Sequence, residues 1–111
     1  MRFYGIPSEN RVLEIIENIN SGDWVFEDTK EKVKESLNSE EVKGRLRKLT
    51  EEVKRWKESL TTLTQGTVFI FVHEPESPKA FKIYDTSSLG CSTELTPPRW
   101  KVYLKELEGK V

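Results

Sequence analysis

Few residues in this sequence have the chemistry to start a reaction. The chain holds one cysteine and one histidine, Cys91 and His73. Cys91 lies in Ser88-Leu89-Gly90-Cys91-Ser92, a stretch that reads as a loop and would expose its thiol. Nucleophilic catalysis needs a base within hydrogen-bond reach, and His73 is the one imidazole on offer. Nothing in the spacing brings the two together, so an enzyme working through Cys91 ranks last among the readings. His73 with Glu74 and Asp85 lacks the spacing of a metal or acid–base cluster. Glycine-rich phosphate loops and Ser/His/Asp orderings are absent. The expectation is a non-enzymatic chain with no metal and no cofactor.

Charged and aromatic residues offer more. Lys82 and Tyr84 alternate on one face of a predicted strand, and Arg99, Lys101, Tyr103 and Lys105 alternate on one face of another. If both faces turn away from the helices, six residues make a plate of cations around two tyrosine rings. Such a plate holds single-stranded nucleic acid by stacking and phosphate neutralisation. The plain alternative is a solvated sheet face on which lysine guards an edge. A second charged region is acidic: from Ser8 to Asp28, Glu9, Glu14, Glu17, Asp23, Glu27 and Asp28 face a single Arg. It reads as a solvated helix face before a surface for a basic partner. The formal net charge of −1 argues against a protein that is electrostatic bait for nucleic acid as a whole. A protein partner therefore ranks ahead of nucleic acid.

The elements that must position these residues follow from periodicity. Arg2 to Ile6 suits a short first strand. Ser8 is a good N-cap, and Val12, Leu13, Ile15, Ile16 and Ile19 recur at helical spacing up to Asn20-Ser21-Gly22. Asp23 to Phe26 is an apolar link of undetermined state. Asp28-Thr29-Lys30-Glu31 reads as a capping box opening a short second helix. The clearest pattern is Val42, Leu46, Leu49, Val53, Trp56, Leu60 and Leu63, a heptad seam on a helix predicted from about Glu40 to Thr64. Burial of this stripe within its own chain ranks first, and a homodimer seam through the same residues second. After Gly66 the period changes to two. Thr67–His73 reads as a central strand, Ala80–Tyr84 as its hairpin partner, and Arg99–Lys105 as a third strand. A helix capped by Thr96 competes for the last segment.

Composition sets the outer limits. A chain of 111 residues supports one core and one domain, residues 1–111. No segment approaches the roughly 20 apolar residues of a membrane span, and no secretory signal opens the chain. One cysteine points to a reducing, cytoplasmic setting. The 33% of charged residues, mostly Lys and Glu, resembles heat-adapted composition. The fold expected is α+β, with two or three N-terminal helices packed on a three- to four-stranded antiparallel C-terminal sheet. The function expected is a small binding or adaptor protein, acting through its sheet face or its long helix.

Overall fold

The computed structural model describes residues 1–59, 67–85 and 97–111. In chain order these form β1 (Tyr4–Gly5), α1 (Glu9–Glu17), β2 (Asp23–Asp28), β3 (Val33–Asn38), α2 (Ser39–Ser59), β4 (Ile70–His73), β5 (Ala80–Ile83) and β6 (Trp100–Leu104). A 3₁₀ turn over Lys105–Leu107 follows. All six strands join one antiparallel sheet in the order β1-β4-β5-β6-β2-β3. The two helices cover one of its faces.

This corrects the expected fold. The sheet has six strands rather than three or four, and three of them come from the N-terminal half. The expected short helix after Asp28 does not form. Asp28 Oδ1 does accept the amides of Lys30 and Glu31, at 3.1 Å each, as a helix cap would. Those bonds instead close the turn between β2 and β3, where Lys32 takes a left-handed φ of 57°. The same local hydrogen bonds serve a helix start or a turn. Pairing decides between them: Trp24, Val25 and Phe26 are claimed by β6 on one side and β3 on the other, a sandwiched position that favours aromatic and β-branched residues.

The helices start where side chains can satisfy their first amides. Ser8 Oγ accepts the Arg11 amide at 3.3 Å. At α2, Asn38 Oδ1 accepts the Glu41 amide at 2.8 Å and Glu41 Oε1 accepts the Asn38 amide at 3.1 Å, a reciprocal capping box one residue before Ser39. The first helix stops at Glu17, earlier than Gly22, whose φ of 113° serves the entry to β2 instead.

Val12, Ile15, Ile16 and Ile19 meet Val42, Leu46, Leu49 and Val53 over a sheet floor of Trp24, Phe81, Ile83 and Val102, all buried. Burying a side chain of this kind contributes about 1.5–3 kcal/mol, so the heptad stripe has an intramolecular use along its described length. Trp56 extends it, lying edge-on to Phe69 at 5.9 Å and stacked on Trp100 at 6.4 Å. Leu60, Leu63, Gly66 and Cys91 lie outside the described residues. The segment after Pro98 is strand, as its alternation indicates, and the competing helix is not formed at Trp100–Leu104.

Candidate functional site on the outer sheet face

Register determines what the helix-free face presents. In an antiparallel sheet directly opposed residues share a face. Since Phe81 and Val102 face the helices, Lys82 and Lys101 face away, and they are directly opposed across β5 and β6. Following the same row across the sheet gives Gly5, Phe71, Lys82, Lys101, Glu27 and Lys34. At β1 the strand passes so close that a Cβ on Gly5 would lie 3.0 Å from the Phe71 ring and from Val68. Phe71 meets Tyr84 edge-on at 5.6 Å.

Two lysines side by side repel, and like charges directly opposed cost a few tenths of a kcal/mol to about 1 kcal/mol. Among the described residues neither lysine lies within ion-pair distance of a carboxylate. Glu27, opposite Lys101, accepts a hydrogen bond from the Tyr103 hydroxyl at 3.1 Å. Lys34 is taken by Glu108, and that pairing raises the lysine pKa and lowers the glutamate's. Among the described residues Lys101 makes no ion pair, and Lys82 places its ammonium 4.5 Å from the centre of the Phe3 ring.

The six residues singled out in the sequence are thus placed unequally. Lys82 and Lys101 are half-buried on this face, and Tyr84, just past β5, is half-buried between Phe71 and the main core. Tyr103 shares the face but is buried beneath the C-terminal segment, in a small cluster with Val25, Ala80, Leu107 and Val111. Burial, and then Glu27, raise its hydroxyl pKa. Arg99 is engaged elsewhere: it holds Asp28 through Nε at 2.9 Å and Nη2 at 3.2 Å, and Asp85 through Nη1 at 3.2 Å. The hydrogen bond from Arg99 holds Asp28 below its ordinary pKa, and the pair raises that of Arg99. Lys105 begins the 3₁₀ turn, beside Ser21, Gly22 and Asp23. Phe3 and Phe71 are the members that sequence reasoning missed. Phe71 lies in a strand apolar on both faces, where alternation does not mark an outward side chain.

The other candidates resolve into structure. His73 Nδ1 contacts the Arg2 carbonyl at 2.7 Å at the turn end of the β4–β5 hairpin, whereas Asp85 holds Arg99 at the opposite end. Among the described residues no group of three or more His, Cys, Asp or Glu could hold a metal ion. Of the acidic run, Glu9 pairs with Lys57, Glu14 with Arg11, Glu17 with Arg47 and Asp28 with Arg99. No helix among the described residues is long and apolar enough to cross a membrane.

Fold and site together define an α+β chain with helices on one side of a six-stranded antiparallel sheet and a lysine–aromatic patch on the other. The chain is 53% identical over 110 residues to a protein of Aquifex aeolicus (strain VF5) named "Uncharacterized protein", a match covering 99% of this chain and 89% of that one. It belongs to the family of that protein. No family model and no solved structure matches the chain.

Proposed function

We propose that this is a non-enzymatic binding protein whose outer sheet face holds an acidic protein partner. The observation carrying this reading is the opposed pair Lys82 and Lys101, neither of them in an ion pair among the described residues, flanked by Phe71 and Tyr84. A carboxylate laid between them would remove their repulsion and gain charge-assisted hydrogen bonds. The rings beside them would contribute apolar area. The long helix supports a binding role, and self-association through its seam, less well, because Val42, Leu46, Leu49 and Val53 are already buried in their own chain. A single cysteine supports a cytoplasmic setting for this binding role.

Nucleic acid is the second reading, supported by the same lysines and rings. It is weakened by the loss of Arg99 to Asp28 and Asp85. Fluorescence anisotropy with an oligo-glutamate peptide and an oligothymidylate of equal charge, at low ionic strength, separates the two. The expected result is tighter binding of the peptide, weakened about tenfold or more by Lys82→Glu with Lys101→Glu. Tighter oligothymidylate binding with a steep salt dependence would favour the second reading. Binding of neither, or full retention by the double variant, would overturn both.

A further inference from the structure

We infer that Phe3 is a built-in competitor at this site: its ring occupies Lys82 in the free protein, and the acidic partner must displace it. The inference rests on the binding reading above and adds a regulatory contact to it. The ring sits 4.5 Å from the Lys82 ammonium, within the distance at which a cation is drawn to an aromatic face. It also lies 5.8 Å from the His73 ring and packs over the Val25–Ala80–Tyr103 cluster.

How Phe3 is tethered makes displacement feasible. The residue precedes the β1 ladder, which consists of Tyr4 opposite Val72 and Gly5 opposite Phe71 and is followed by the Ile6 amide donating to the Ile70 carbonyl at 2.9 Å. Beyond the ladder, the backbone is held by the contact between the Arg2 carbonyl and His73, and Met1 and Arg2 are exposed. Rotation about the backbone before Tyr4 therefore lifts the ring away without breaking a strand pair. Lys82 is then free to join Lys101 around one carboxylate, and the aliphatic part of the acidic side chain re-covers the small cluster. In the free protein, among the described residues, Lys82 holds the Phe3 ring and Lys101 makes no ion pair, so the site is half engaged until the partner arrives.

Two variants and one spectroscopic readout test this. Phe3→Leu keeps apolar cover over the cluster but removes the aromatic face; Phe3→Ala removes both. Both are expected to bind the labelled oligo-glutamate peptide about two- to fivefold more tightly than the parent, the size of an exposed cation–π contact. The gain should disappear when Lys82→Gln is added. In the parent, the Lys82 ε-methylene proton resonances should carry an upfield ring-current shift that collapses as peptide is added. Peptide binding that is equal in the parent and both Phe3 variants, with the ring-current shift retained at saturation, overturns the Phe3 inference and leaves the binding reading intact. Binding unaffected by the double replacement of Lys82 and Lys101 with Glu, or absent from every variant, overturns the binding reading and the inference with it.

Discussion

Replacing Asp28 should cost stability in two separable portions. Its carboxylate takes two hydrogen bonds from Arg99, at 2.9 and 3.2 Å, and two from the Lys30 and Glu31 amides. Asp28→Asn keeps an oxygen for the turn amides and removes the charge; Asp28→Ala removes both. An exposed ion pair contributes about 0.2–1 kcal/mol, and stripping one partner from a fully buried pair costs about 3–5 kcal/mol. The two side chains are 16% and 21% exposed, and Arg99 retains Asp85. An intermediate value of about 1–2 kcal/mol is therefore expected for Asp28→Asn, bracketed by those limits. Asp28→Ala adds about 1 kcal/mol for the lost cap. At roughly 4 °C per kcal/mol for a chain of this length, the Tm falls by about 4–8 °C and 8–12 °C respectively. Circular dichroism melts from pH 7 down to pH 2 supply the check. Because Arg99 depresses the folded-state pKa of Asp28, the parent's advantage over Asp28→Asn is complete above the unfolded carboxylate value near 4 and fades as pH falls through the folded value. Melts within about 2 °C of the parent at pH 7, or a gap that persists unchanged at pH 2, would refute the electrostatic account.

Leu46→Ala, at a site 1% exposed between the helices and the sheet, should cost about 2–5 kcal/mol in urea unfolding. Lys48→Ala on the exposed side of the same helix should stay within about 0.5 kcal/mol; equal effects would contradict the placement of the heptad stripe. Tyr103→Phe tests the alkaline limb. Burial raises the folded tyrosine pKa, so the parent loses stability as pH rises above the unfolded value near 10, and the variant escapes that contribution. Parallel declines for the two proteins between pH 8 and pH 11 would rule the contribution out.

Periodicity carried the sequence reading furthest where one face alone is buried. Val12 to Ile19 and Val42 to Val53 show helical spacing because their opposite sides meet water, and Trp100, Val102 and Leu104 alternate with the half-buried Lys101 and with Tyr103, whose ring is covered by a second small cluster. The β2–β3 hairpin was hidden. Trp24, Val25 and Phe26 are consecutive buried residues without an alternating pattern, and β3 is an edge strand whose Val33, Lys34 and Ser36 are exposed. The bonds that Asp28 makes to Lys30 and Glu31 looked like a helix cap because locally they are the same bonds. At the candidate site, alternation within each strand made legible the side Lys82 shares with Tyr84 and the side Lys101 shares with Tyr103. A common outward face for the two lysines stood as a condition, and their direct opposition was hidden, since register between β5 and β6 depends on pairing across a connector. The fate of Arg99 was equally invisible: its partners lie 71 and 14 residues away. Phe3 gave no signal beyond its place in a short apolar stretch.

Amide chemical-shift mapping during titration with the oligo-glutamate peptide bears most directly on the role of the outer sheet face. Shifts concentrated at Lys82, Lys101, Phe71 and Tyr84, with α2 unmoved, are the expected result. Shifts confined to the solvent side of α2, around Lys48 and Arg55, or spread evenly over every lysine, would contradict it.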